Sequence, residues 1–176
     1  MNIILEGTDC SGKSTFAQML SEKTDYEVIQ GSSFKISNLG ADGMFEYTME
    51  LLERKDVIID RIFYSNLVYG KLFNYPMMTT KQYDKLVNKL NRNSLFIYLH
   101  APISVLKSRM EKRGDDMIKV ENIGDILNSY KEVLHGAFRP KMMFSLDTSL
   151  SDFNTTTSMI KEIIRLEETG IYIKNS

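Results

Sequence analysis

With 176 residues, 43% of them hydrophobic and 26% charged, the chain is long enough to bury one core and short for two. Its formal net charge of −1 offers no global field to nucleic acid, although local basic clusters can still hold phosphates. Its one cysteine, Cys10, excludes an internal disulfide. No apolar run reaches the ~18 residues of a membrane span, and the first residues lack the basic and apolar regions of a signal peptide. A cytoplasmic location is expected.

Asn2–Glu6 opens the chain as a short apolar strand. Gly7-Thr8-Asp9-Cys10-Ser11-Gly12-Lys13-Ser14 follows at once and fits G-x-x-x-x-G-K-[ST], a phosphate-binding loop. Glycines let such a backbone fold into a nest of N–H groups facing one anion. The helix beginning near Lys13 adds the positive end of its dipole. Phe16, Met19 and Leu20 give that helix one apolar face. Lys13 can reach the β- and γ-phosphates of a nucleotide, and Ser14 can hold Mg²⁺. Gly7, Asp9, Cys10, Ser11, Gly12, Lys13, Ser14 and Thr15 are the expected nucleotide contacts, with Cys10 read mainly as a small loop residue.

Tyr26–Gln30 reads as a second strand and Asp56–Asp60 as a third. The carboxylate of Asp60 suits a second Mg²⁺ ligand, and the fork of Arg61 suits a phosphate. Tyr83, Leu86, Val87 and Leu90 share a helical face before a fourth strand, Leu95–His100. Pro102 opens a helix that ends in the charged run Arg109–Asp116, with a stop at Gly114. Ile123, Ile126, Leu127, Tyr130 and Leu134 mark another helix. Met142–Leu146 is a fifth strand. A last helix starts within the polar stretch Ser149–Ser158 and uses Met159, Ile160, Ile163 and Ile164 as its apolar face. The eleven methionines read mostly as core filler.

Strands alternating with helices predict an α/β fold with a parallel sheet and right-handed crossovers. Ligands of such sheets bind at the carboxyl ends of the strands. Gly7–Ser14, Gly31-Ser32-Ser33, Asp60-Arg61 and Asp147 all fall there. No repeat or inter-domain linker is visible, so residues 1–176 are expected to form one domain.

Glu6-Gly7-Thr8-Asp9-Cys10-Ser11-Gly12-Lys13-Ser14-Thr15 and Asp60-Arg61-Ile62-Phe63-Tyr64-Ser65 together resemble the thymidylate kinase and deoxynucleoside kinase superfamily. Asp9 and Asp60 are closer to the thymidylate kinase branch, while Tyr64 and Ser65 fit both. The resemblance implies a three-layer P-loop kinase fold with five strands in the order 2-3-1-4-5. It implies ATP as donor, Mg²⁺, and a deoxynucleoside monophosphate or deoxynucleoside as small-molecule partner, with a homodimer open. Arg61 would hold the acceptor phosphate, Asp9 would meet the deoxyribose or the acceptor end of the site, and Phe63, Tyr64 and Tyr69 would lie near the acceptor pocket. Residues about 109–120 would form a lid that delivers Arg109 and Arg113 to the transferring group. Lys13, Arg61, Arg109, Arg113 and Asp9 are thus the expected catalytic set. Phe153 would line the adenine side.

One departure stands out. Both branches usually carry a Glu-Pro element after strand two, and this chain has Gln30-Gly31-Ser32-Ser33-Phe34-Lys35. A hydroxyl acceptor benefits from a positioned base, whereas a phosphate is already an anionic nucleophile. A monophosphate acceptor is therefore expected, with a nucleoside, an unusual nucleotide or a nucleic-acid end as alternatives. A non-catalytic nucleotide switch is disfavoured, because His100-Ala101-Pro102-Ile103 shows no N-K-x-D element.

Overall fold

The five apolar runs become five parallel strands: β1 Asn2–Glu6, β2 Glu27–Gln30, β3 Val57–Asp60, β4 Ser94–His100 and β5 Met143–Asp147. They lie in the order β2-β3-β1-β4-β5, as expected. This computed structural model describes residues 1–31, 38–114 and 119–169. The strand starting expected at Asp56 begins one residue later, because Asp56 takes a left-handed φ of 58° that a strand cannot continue.

Seven α-helices connect and flank the strands among the described residues: α1 Lys13–Thr24, α2 Gly40–Glu53, α3 Phe63–Phe73, α4 Thr80–Asn93, α5 Ile103–Arg113, α6 Ile123–His135 and α7 Phe153–Glu168. Strand periodicity assigns the two faces. Ile3, Leu5, Ile58, Leu95, Ile97 and Leu99 pack with Phe16 and Leu20 of α1 and Ile160 and Ile164 of α7. Alternate residues Ile4, Ile59, Phe96 and Tyr98 face a larger cluster built from α2 to α6. Three layers result, and the central strands β1 and β3 are buried along their whole length. No helix among the described residues is long and apolar enough to cross a membrane.

The expected faces of α4 and α6 are the buried ones, with Leu127 partly exposed. The face of α7 is narrower than expected. Thr157, Ile160 and Ile164 are buried at helical spacing, and Met159 lies off that stripe, 61% exposed. Most of the described methionines do fill the core: Met44, Met78 and Met110 are buried in it, and Met1, Met49 and Met143 pack against it, whereas Met77, Met142 and Met159 are exposed.

Register levels the carboxyl ends of the strands. Leu5 and Gln30 both pair with Asp60, and His100 pairs with Asp147. The segments after β1, β2, β3 and β5 therefore emerge along one edge of the sheet.

Candidate active site

The loop after β1 is shaped by close approach. A Cβ at Gly7 would collide with the Leu99 carbonyl oxygen, and its φ of 150° disfavours any side chain. Cys10 at φ 58° and Gly12 at φ 87° complete the turn into α1. Helix α1 has no acidic residue in its first turn to offset its dipole. Lys13 is buried, and its ammonium donates to the carbonyls of Gly7 at 2.9 Å and Thr8 at 2.6 Å. Burial and the Arg61 charge push its pKa down to about 7, against the pull of Asp9, Asp60 and Glu6.

Asp60 ends β3 in a buried position. Its Oδ2 accepts the Ser14 hydroxyl at 3.3 Å, while its Oδ1 is buried with no hydrogen-bond partner. A hydroxyl beside an unsatisfied carboxylate oxygen fits Mg²⁺, which keeps waters and takes one or two protein ligands beside phosphates. Among the described residues no cluster of three His, Cys, Asp or Glu offers an all-protein metal cage.

Arg61 follows at a left-handed φ of 73°, an unfavourable conformation for a side-chain-bearing residue. Gly31 accommodates it, since a Cβ there would strike the Arg61 carbonyl oxygen. The guanidinium is held from two sides. Nη2 donates to Asp9 Oδ1 at 2.7 Å, and Nη1 donates to the Gly7 carbonyl at 3.1 Å and Ser65 Oγ at 3.3 Å. Tyr69 donates its hydroxyl to Asp9 Oδ2 at 3.1 Å. Burial works to raise the Asp9 carboxyl, but Arg61, Lys13 and Tyr69 outweigh it and hold the pKa below its usual value.

Glu6 anchors this arrangement from below. It is fully buried and accepts from the Ile62 and Ser65 backbone N–H groups at 2.8 and 3.1 Å and from the hydroxyls of Ser65 and Tyr130 at 2.8 and 3.0 Å. Burial nonetheless pushes its carboxyl above the usual range, against Arg61 and these donors.

These groups line or support a cleft of about 570 Å³. Lys13, Arg61, Arg109 and Arg113 face it, against two carboxylates, Asp9 and Asp60. An excess of cations around one concavity suits a polyphosphate. A family model for deoxynucleoside kinase matches residues 34–171. The chain belongs to the deoxynucleoside kinase family. It is a P-loop nucleotide kinase.

The chain is similar to several known proteins. The SPbeta prophage-derived uncharacterized protein YorR of Bacillus subtilis (strain 168) is 43% identical over 136 residues, 77% of this chain and 82% of YorR. The crystal structure of YorR in complex with phosphorylated GDP superposes with a TM-score of 0.87 at 38% identity, covering 96% of this chain and 98% of YorR. Deoxyadenosine kinase from M. mycoides with bound dCTP scores 0.59 at 22% identity, covering 94% and 99% of the two chains. Thymidylate kinase from Candida albicans also scores 0.59, at 18% identity, covering 95% and 92%. Equal scores mean that overall shape does not choose between the two branches.

Most of the expected residues of this deoxynucleoside kinase family member meet at the cleft: Asp9, Cys10, Gly12, Lys13, Ser14, Thr15, Asp60, Arg61, Tyr69, Arg109 and Arg113. Gly7 and Ser11 sit behind the loop, where Lys13 Nζ reaches the Gly7 carbonyl and, at 3.4 Å, Ser11 Oγ. Phe63 and Tyr64 are corrections. Both are buried in the core, stacked at 4.3 Å, and the Tyr64 hydroxyl donates to the Phe138 carbonyl. They are the first residues of α3 and turn inward, whereas Tyr69 and Phe73 reach the cleft. The Phe153 ring packs edge-on against Phe16 at 5.2 Å and beneath Gly12, supporting the loop rather than lining the cleft.

Arg109 is tied to the phosphate loop and to the turn after β5. It donates to the Cys10 carbonyl at 3.2 Å and to Thr148 Oγ1 and O at 2.9 and 3.0 Å. Arg113 ends α5 just before Gly114, which caps the helix with a left-handed φ of 67°. Asp115 and Asp116, and Ser32 and Ser33 after β2, lie outside the described residues. Phe73 and Tyr75 also line the cleft, outside every motif of the sequence. Their rings stack at 5.7 Å, and Phe73 stacks on Tyr69 at 6.1 Å, forming an aromatic wall. The signal was an aromatic every few residues after Asp60-Arg61.

Proposed function

We propose that this kinase transfers the γ-phosphoryl group of ATP to a deoxynucleoside monophosphate. The observation that supports this reading is the state of the carboxylates facing the cleft. Among the described residues they are Asp9 and Asp60. Asp60 sits with Ser14 as the metal-binding pair, and Asp9 is engaged by Arg61 and Tyr69 and held below its usual pKa. Neither is a ready base for a neutral hydroxyl. The end of β2 and the residues after it, Gln30 to Ser37, contain no carboxylate at all. A monophosphate needs no base.

In this reading the loop N–H groups and Lys13 hold the donor phosphates. Arg61 holds the acceptor phosphate, and the Tyr69–Phe73–Tyr75 wall packs against the acceptor base. Arg113 faces the charge that spreads over the transferring oxygens. Mg²⁺, held by Ser14 and Asp60, would neutralise the donor phosphates. YorR, 38% identical, was crystallised in complex with phosphorylated GDP, a nucleotide rather than a nucleoside.

The family match favours a second reading, transfer to a free deoxynucleoside. A transfer assay with ATP and Mg²⁺ against each deoxynucleoside and each monophosphate separates them. Product is expected from a monophosphate. Activity on a nucleoside with none on its monophosphate would establish the second reading instead.

A further inference from the structure

Tyr130 lies on α6, outside every segment that carries the phosphate-binding motifs, yet its side chain ends among them. It is fully buried. Its hydroxyl lies 3.0 Å from Glu6 Oε2, 3.1 Å from the Gly7 carbonyl, 3.2 Å from Ser65 Oγ and 3.5 Å from Arg61 Nη1. A phenol has one proton to give and lone pairs to accept with. Arg61 can only donate, and the Gly7 carbonyl can only accept. The hydroxyl thus stands between the guanidinium and the phosphate loop: it accepts from Arg61 Nη1 and gives its one proton to Glu6 Oε2 or the Gly7 carbonyl.

Packing alone does not call for this hydroxyl. The ring is wedged 5.4 Å from Tyr98 and 6.3 Å, edge-on, from Tyr69. Phenylalanine would fill the same space. A buried hydroxyl is costly unless bonded, so its presence points to its polar partners. On the opposite side, Asp9 grips Arg61 Nη2 at 2.7 Å. A guanidinium restrained at both Nη atoms presents its remaining donors in one direction, which lowers the ordering cost at the moment of binding.

We propose that Tyr130 is a positioning residue for the acceptor phosphate. Its hydroxyl, donating to Glu6 Oε2, backs Arg61 Nη1 together with the Gly7 carbonyl and Ser65 Oγ and so helps to aim the guanidinium into the cleft. The acceptor half of this statement rests on the reading of Arg61 given above. The positioning half does not.

Tyr130→Phe tests both. It should melt close to the wild type, raise the acceptor KM about tenfold and leave the KM for ATP unchanged, the expected loss for one hydrogen bond to a charged group. Adding it to Arg61→Lys should raise the acceptor KM no further, because the tyrosine acts through the arginine. In the nucleotide-free protein, proton exchange of the Arg61 Nε–H, followed by NMR, should accelerate severalfold. Additive effects in the double variant, equal rises in both KM values, or a melting point far below the wild type would overturn the proposal and make the hydroxyl merely structural. Unchanged Arg61 exchange would overturn it whichever acceptor is used. Wild-type turnover of nucleosides alone would instead sink the monophosphate reading, and the exchange measurement would still decide the role of Tyr130.

Discussion

Lys13 spends its three protons on its own loop, and burial with Arg61 nearby brings its pKa to about 7. Nucleotide phosphates favour the ammonium and must raise that pKa. At pH 8, above that pKa, binding of MgATP should therefore take up a proton, and affinity should fall as pH rises above 7. Calorimetry in buffers of different ionisation enthalpy should read that uptake at pH 8 and find it absent in Lys13→Met. Release of protons, or uptake retained in the variant, would contradict the assignment. Arg61→Ala should raise the acceptor KM by one to two decades, about 1.5–3 kcal/mol for a buried charge-assisted hydrogen bond. A change confined to the ATP KM would move Arg61 to the donor side. The two arginines of α5 should separate. Arg113→Ala should lower kcat more than it weakens ATP binding, because its charge acts on the transition state. Arg109→Ala removes a tie between the Cys10 carbonyl and Thr148, so it should weaken ATP binding and lower the melting point. Steady-state kinetics with thermal melts on both variants would show whether the pattern reverses.

At the scale of the element, α4 offers a control far from the chemistry. Thr79 accepts the Gln82 N–H, and the Gln82 side chain accepts from the Thr79 N–H, a capping box at the start of the helix. Thr79→Ala should cost about 1 kcal/mol in urea unfolding and leave kcat and both KM values unchanged. Altered kinetics would mean that α4 is coupled to the cleft. What the sequence reveals depends on such local signals. The strands are short apolar runs and their order follows from the resemblance, so the sheet was legible. Helix α3 was not. Phe63, Tyr64, Leu67, Val68 and Tyr69 are all buried, which leaves no polar stripe and hence no period to read. For the same reason Phe63 and Tyr64, next to Arg61 in the chain, could not be told from pocket residues. The phosphate loop, Asp60 and Arg61 were legible because contiguous motifs encode them. Glu6 and Tyr130 touch across 124 positions, and no local pattern records such a contact.

At the scale of the molecule, the sheet order places the first strand in the middle, with β3 on one edge and β4 on the other. During synthesis this apolar strand emerges before both of the strands that flank it. One edge stays unpaired until β3 is made and the other until β4 ends at His100. The cleft is slower still, because Arg109 is tied to Thr148 and Glu6 to Tyr130. A nascent chain therefore carries a finished phosphate-binding motif long before it can use it, with exposed strand edges in the interval. Ribosome-stalled chains with about 110 residues exposed should be protease-sensitive and unable to retain ATP, and chains exposed past α7 should be protected and competent. Early competence would mean that the loop organises without its distant supports. Late competence makes synthesis of the stretch from Tyr130 through α7 the step at which this kinase switches itself on.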